Sequence, residues 1–302
     1  MPAKSKLTST FEAQRPRLFS IAYRMLGSAS DAEDVLQDAW MRLTGSEAEV
    51  RSPQAFAATI VTRLCLDRLK SARARREEYV GPWLPEPVLT GGEEGPDVLA
   101  ERSESVTLAF LVLLETLSPE ERAVFLLKEV YDYEHAEIAE ILGTSAANSR
   151  QLFHRAKSKI RPTGVEGRVE RGERRAVAER FARAFTSGDA ARVADLLAAD
   201  VTFVSDGGGK ATAVRRPLAG REKVAALLAG LVRSARASGT ASRAALDVVE
   251  VNSEPAMVLR VDGRLDGVFV FSVASRTITG IRVVRNPDKL AYLERQLSAR
   301  RR

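Results

Sequence analysis

Two short stretches concentrate cationic side chains. Residues 59–76 hold Arg63, Arg68, Lys70, Arg73, Arg75 and Arg76 against Asp67 alone, and residues 145–161 hold Arg150, Arg155, Lys157, Lys159 and Arg161 against no acid. Guanidinium and ammonium groups at that density suit phosphate binding. "SDAEDVLQDAW" (30–40) does the opposite: Asp31, Glu33, Asp34 and Asp38 stand there with no base. That face would repel phosphate, and by itself it reads as the solvated side of an amphipathic core helix. Covalent chemistry finds little support. "DGGGK" (206–210) has a phosphate loop's composition, but the GxxxxGK[ST] spacing fails and Ala211 follows the lysine. Asp206 and Lys210 can line a pocket, or Asp206 can cap a tight turn. His135 and His154, the two histidines, lie outside the C-terminal region, so no imidazole serves there as acid or base, and they are too isolated for a metal site. Cys65 is the single cysteine, a small core residue on a helix; no disulfide can form within the chain. The expectation is a protein that is not an enzyme and has no cofactor.

The charge balance of the halves points the other way from the clusters. Residues 1–161 carry 21 Lys+Arg and 24 Asp+Glu, a net −3; residues 162–302 carry 25 and 16, a net +9. Dense patches, rather than totals, locate phosphate contacts.

The elements that position these patches can be read from periodicity. Val35, Leu36, Ala39, Trp40 and Leu43 recur at helical spacing, with Ser30 and Glu33 as a capping box. Pro53 opens a second helix running to about Glu77. Four prolines and four glycines in 78–100 forbid a regular helix or central strand, so this span is predicted as a linker; extended, its 23 residues reach roughly 80 Å. Ser118, Pro119 and Glu121 announce another helix. A helix closed at Gly143 and another opening near Ser145 make a helix-turn-helix. On its second helix Ser149, Leu152, Phe153, Ala156 and Ile160 face the core. Ala147, Arg150, Gln151, His154 and Arg155 face outward; Arg150 suits guanine and Gln151 adenine, while Arg155, Lys157, Lys159 and Arg161 suit phosphates.

The last part differs in kind. Helices at about 173–187, 189–199 and 220–236 precede alternating segments "ALDVVEVN", "AMVLRVDG", "LDGVFVFSVA" and "ITGIRVVR", with a helix at about 287–298. The prediction is a multi-domain chain: two all-α modules, 1–77 and 101–162, then an α+β domain over 173–302 with helices on one curved antiparallel sheet.

Residues 7–161 resemble an extracytoplasmic-function (ECF) sigma factor in "DAEDVLQDAWMRL", "AFAATIVTRLCLDRLKSARARRE" and "LSPEERAVFLLKEVYDYEHAEIAEILGTSAANSRQLFHRAKSKI". The resemblance implies three roles. The first segment binds the clamp helices of core RNA polymerase, with Asp34, Gln37, Asp38 and Trp40 as contact or supporting residues. The second recognises and melts the −10 element through Arg63, Asp67, Lys70 and Arg73. The third reads the −35 element through Ala147, Arg150, Gln151, His154, Arg155 and Lys157. Many members have asparagine at the position of Arg63 and valine at that of Ser149. Loop 44–54 with Arg63 is expected to form the flipped-base pocket. Two turns of B-DNA cover about 70 Å, which an extended linker spans.

The C-terminal domain resembles the SnoaL-like cone-shaped fold, in "FARAFTSGDAARVADLLAADVTFVSDGGGKATAV" and "PLAGREKVAALL". Sigma factors with this extension share "WLPEP", "DGGGK" and "NPDKL", here Trp83, Leu84 and Pro85 to Pro87; Asp206, Gly207, Gly208, Gly209 and Lys210; and Asn286, Pro287, Asp288, Lys289 and Leu290. The resemblance implies regulation in cis, and Trp83 and Leu84 inside a polar linker suggest that "WLPEP" lies against the "DGGGK" surface. The expected partners are core polymerase, promoter DNA and the chain's own C-terminal domain. The free protein is expected as a monomer, cytoplasmic, without signal peptide or membrane span. The rival reading is a ligand-responsive helix-turn-helix repressor, which has no need of the acidic helix.

Overall fold

The computed structural model describes residues 2–45, 52–90, 106–160 and 169–300. It forms two compact units, Met1–Glu78 with Pro96–Val106 and Phe110–Pro162, and Tyr79–Gly95 with Thr107–Ala109 and Thr163–Arg302.

The first unit is helical. α1 (Pro2–Leu26), α2 (Ala29–Gly45) and α3 (Pro53–Glu77) pack around Leu18, Ala22, Val35, Leu36, Val61 and Cys65, all buried. The cap of α2 differs from the predicted box. Ser28 Oγ accepts from the Asp31 amide at 3.1 Å, because the helix starts at Ala29 and Ser30 already lies inside it. α4 (Leu108–Leu114) leads to α5 (Pro119–Phe125), whose Ser118–Glu121 capping box is fully formed. α5 runs into a π turn over Leu126–Val130, and Gly143 (φ 66°, ψ 41°) separates α6 (His135–Leu142) from α7 (Ala146–Lys159). Only a residue tolerant of the left-handed region sits easily there. Ser145 caps α7 through the Asn148 amide. Val124, Leu127, Ile138 and Ile141 form the core of this motif, with Leu152 and Phe153 against them.

The second unit is a six-stranded sheet in the order β2-β1-β6-β5-β4-β3. Its strands are β1 (Leu197–Asp206), β2 (Leu218–Ala219), β3 (Ala244–Val251), β4 (Glu254–Val261), β5 (Arg264–Ala274) and β6 (Thr277–Val284). β1 and β6 are parallel and the other pairs antiparallel. α8 (Arg171–Ser187), α9 (Ala190–Asp195) and α10 (Arg221–Ala237) cover one face, where Phe181, Val224, Leu228, Met257, Phe269, Phe271 and Ile281 are buried together. Val258, Val268, Val270 and Val284 alternate with these onto the opposite face and are also buried. α11 (Pro287–Arg300) contributes Leu290, Leu293 and Leu297 there. The helix predicted over 189–199 ends at Asp195 and a strand begins at Leu197. Pairing of β1 with β6 overrides the helix preference of Leu196–Ala199.

The predicted linker is the larger correction. Leu84, Val88 and Leu89 are buried in the second unit. The Val88 amide donates to Asn252 Oδ1 (3.0 Å), and the Asn252 amide returns a bond to the Val88 carbonyl (2.9 Å). Leu89 pairs with Val251, at the end of edge strand β3. Its apolar side chains hold this Pro-rich segment down, while residues 91–105 lie outside the described ones. Among the described residues no helix is long and apolar enough to cross a membrane.

Glu121 offers a pH test. Burial alone would raise its pKa, but Lys159 at 2.6 Å and the Ser118 amide outweigh burial and hold it below the ordinary value. A depressed carboxylate stabilises the fold above the unfolded pKa and loses that contribution as pH falls. Glu121→Gln is expected to cost about 1 kcal/mol at pH 7 and to flatten the loss of stability below about pH 4.5, measured by urea unfolding at stepped pH.

Candidate functional site

The acidic face of α2 is partly neutralised from within. Arg68 of α3 donates to Asp31 Oδ1 (3.3 Å), Asp34 Oδ2 (3.5 Å) and Asp38 Oδ2 (3.2 Å). Burial alone would lower its proton affinity; the three carboxylates raise it on balance. Asp34 keeps 64% of its side chain exposed and Asp38 41%, so both stay within reach of a partner's cations. Gln37 is exposed, and Trp40 is half-buried against Phe11, ring centroids 5.4 Å apart. Trp40 therefore supports the helix more than it presents a surface. Met41, 58% exposed, is an apolar side chain beside this face that the sequence reading missed.

On α3 Arg63, Asp67 and Lys70 are exposed on one side. Arg63 is occupied: its Nε donates to the Ile141 carbonyl (2.9 Å) and its Nη2 to the Glu140 carbonyl (3.2 Å). These are last-turn carbonyls of α6, where the helix dipole presents negative charge. Arg63 thus holds the helix-turn-helix, and Lys70 meets Glu120 at 3.8 Å. The Arg73 side chain and most of loop 44–54 lie outside the described residues.

More arginines join the two helical modules. Arg17 lies over the rings of Tyr131 and Tyr133 and donates to the Tyr131 carbonyl. Buried Arg24 donates to the Tyr131 hydroxyl at 3.0 Å. Arg122 reaches back from α5 to the Met25 carbonyl (2.7 Å) and Glu115 (2.8 Å); burial lowers its pKa to about 10. The π turn places Tyr131 for this contact. Sequence reasoning treated the modules as separate beads on a linker, whereas here they form one packed unit.

On α7 every candidate for the −35 element is exposed: Ala147, Arg150, Gln151, His154 and Arg155, with Lys157, which contacts Glu129 at 3.2 Å. Ser149 is buried and bonds the imidazole of His135 at Nδ1 (2.9 Å), which explains a hydroxyl at a core position.

The tightest cluster lies in the second unit. Asp206 is fully buried and its carboxylate has three donors: Tyr79 Oη (2.6 Å), the Leu84 amide (2.8 Å) and Lys289 Nζ (2.7 Å). Lys289 also donates to the Leu84 carbonyl (2.5 Å), with its ammonium 4.2 Å from the Trp83 ring centroid and 4.8 Å from that of Tyr79. Asn286 Nδ2 donates to Tyr79 Oη (2.9 Å); burial, then the bond to Asp206, raises the Tyr79 pKa. The three motifs are therefore brought together, with "WLPEP" held between "DGGGK" and "NPDKL". Gly208 (φ 57°) has no room for a Cβ beside Asn286 and Tyr79. Lys210 and Asp288 pair at the surface, 2.5 Å apart. Pro287 is the first residue of α11 and Leu290 is buried beneath it. Tyr79 was not legible as a member of the cluster.

The linker is fixed farther along as well. The Leu89 amide donates to Gln296 Oε1 (2.8 Å), the Thr90 amide to the Glu250 carbonyl (3.1 Å) and the Leu108 amide to Glu254 Oε2 (3.1 Å). Among the described residues no group of acids, histidines or cysteine could hold a metal ion.

Comparisons with known proteins agree with this geometry. Residues 10–75 match the model of Sigma-70 region 2, and residues 107–160 that of Sigma-70, region 4. The chain is 38% identical over 289 residues to the ECF RNA polymerase sigma factor SigJ of Mycobacterium tuberculosis, covering 93% of this chain and 92% of that one. It is 29% identical over 301 residues to the probable ECF RNA polymerase sigma factor SigI of the same species, covering 98% and 99%. The crystal structure of SigJ matches with a TM-score of 0.75 at 34% identity, covering 94% of this chain and 98% of that one.

Removing one partner of a buried ion pair strands the other, at about 3–5 kcal/mol. Asp206→Ala is expected to free the linker. The amides of Val88 and Leu89, bonded to Asn252 and Gln296 in the parent, should then exchange with deuterium at least about tenfold faster, scored by mass spectrometry of peptides spanning 84–90.

Proposed function

The chain belongs to the extracytoplasmic-function family of RNA polymerase sigma factors, in the subset with a C-terminal SnoaL-like extension, and from that premise we propose how its parts divide the work. α2 docks on core polymerase through Asp34, Gln37 and Asp38, with Trp40 bracing the helix. α3 contacts the −10 element through Arg63, Asp67, Lys70 and Arg73. α7 reads the −35 element through Ala147, Arg150, Gln151 and His154, with Arg155 and Lys157 on phosphates. The domain limits follow the same division, 1–77, 101–162 and 173–302, except that residues 79–90 work with the last.

The C-terminal domain governs the chain in cis by holding the linker. The observation that carries this reading is the Asp206–Lys289 pair closed on the backbone of Leu84. Twenty-three free residues would reach roughly 80 Å. Stapled at Tyr79–Thr90 and again at Leu108, the linker cannot extend so far. Arg63 on the carbonyls of α6 favours the same restraint, since a side chain so engaged is unavailable to a −10 base. Engagement of a promoter then requires release of both contacts. The half-exposed acids of α2 stay accessible, so polymerase is met before DNA.

Two experiments test this. Asp34→Lys with Asp38→Lys should weaken co-migration with sigma-free core polymerase by tenfold or more, an effect of about 1.4 kcal/mol, whereas Arg68→Met, which leaves the acids in place, should not. Equal binding by parent and double variant would overturn the docking assignment. Chains ending at Leu290, which lose Gln296, and at Arg171 should raise promoter-directed transcription over the full chain. Unchanged output from both would dismiss control in cis.

A further inference from the structure

The helix-facing side of the sheet, where a cone-shaped sheet would enclose a ligand, is filled by aromatic rings. Phe181 lies 4.8 Å from Phe271 and Phe185 5.8 Å from Phe269, centroid to centroid. A cavity of about 580 Å³ lies elsewhere, at edge strand β3 between the start of α8 and the end of α11. Volumes of this size take small organic molecules.

Its lining is amphipathic. Val249, Val258 and Leu297 supply an apolar floor, and five guanidinium groups face two carboxylates, Asp247 and Glu250. Most of these arginines have acidic partners: Arg171 is paired bidentately with Glu250, Arg175 with Glu179 and Arg260 with Glu294. Arg174 differs. It donates to the Ser253 carbonyl (3.2 Å), meets no carboxylate among the described residues, and its Nε is buried with no acceptor. Arg260, its side chain 5% exposed, also has a buried Nε without an acceptor.

The position of Arg174 on α8 is informative. Val177, Ala178, Phe181 and Ala184 form the buried stripe of that helix. Arg174 and Arg171 continue the stripe one and two turns toward the N-terminus, where helical period calls for apolar residues. A cation is thus aimed at the sheet edge rather than at solvent, and nothing in the sigma-factor work described above uses it.

We propose that this cavity binds a small amphipathic anion, a carboxylate or phosphate ester with an apolar body. Arg174 holds the anionic head, and the valine–leucine floor takes the body. The planar guanidinium fork suits both head groups. The claim concerns binding and stands apart from the transcriptional reading.

Calorimetric titration of the full chain with octanoate, octyl phosphate, octanol and inorganic phosphate tests it. Saturable one-to-one binding is expected for octanoate, octyl phosphate or both, and the responding head group identifies the source. Octanol and inorganic phosphate should bind at least about tenfold more weakly, since each lacks one half of the ligand. Arg174→Met should weaken the octyl anion about tenfold or more, the loss of one charge-assisted bond, while Arg233→Met, an exposed arginine on α10, should leave it unchanged. Circular dichroism on the Arg174→Met chain establishes that it folds; if it does not, Arg174→Lys, which keeps charge but not the fork, should still weaken binding severalfold. Absence of saturable binding by either octyl anion, or equal loss in the Arg174 and Arg233 variants, would overturn the proposal, as would inorganic phosphate binding as tightly as octyl phosphate.

Discussion

An ammonium and a carboxylate buried together are stable only when their remaining hydrogen-bonding capacity is met. In the second unit the linker backbone meets it. Asp206 needs donors beyond Lys289 and takes them from Tyr79 and the Leu84 amide; Lys289 needs an acceptor beyond Asp206 and takes the Leu84 carbonyl. The linker is therefore part of the solution to a charge-burial problem inside the C-terminal domain. Pulling it away would leave a desolvated ion pair half-satisfied, which gives a short Pro-rich segment a firm seat without regular secondary structure.

The helical unit uses a related device. Arg17 and Arg63 donate to main-chain carbonyls across the two modules, and Arg122 donates in the opposite direction. Carbonyls at helix ends have no intrahelical partner, so a guanidinium gains a charge-assisted bond there without needing an opposing acid. Such contacts rupture at modest cost because water can replace them. Under the proposed function, in which the modules part to span a promoter, joints of this kind serve well.

How much of this was legible follows from the range of each interaction. The helix-turn-helix could be read residue by residue, since Ser118 with Glu121, Gly143 and Ser145 act within a turn of themselves. The family resemblance located the three shared motifs, and Trp83 and Leu84 in a polar stretch hinted at docking. What joins them was not legible: Tyr79 bonds the Asp206 carboxylate, and Asn252 and Glu254 accept from the backbone amides of Val88 and Leu108, each pair over a hundred residues apart in sequence. β1 was misread because Leu196–Ala199 are good helix formers and only pairing with β6 makes the segment a strand. That carbonyls of α6 occupy Arg63 was not legible either, because those partners lie far along the chain.

The central claim is that the linker clamp restrains the two DNA-binding modules. Electron–electron double resonance tests it most directly, with nitroxides at Ala13→Cys and Ala147→Cys, both exposed, in a Cys65→Ser background. The account expects a single narrow distance distribution in the full chain and a broad one, extending to longer distances, once Lys289→Met empties the clamp in a chain whose α6 contact is already removed by Arg63→Ala. Superimposable distributions with Arg63→Ala alone and with both substitutions would contradict it.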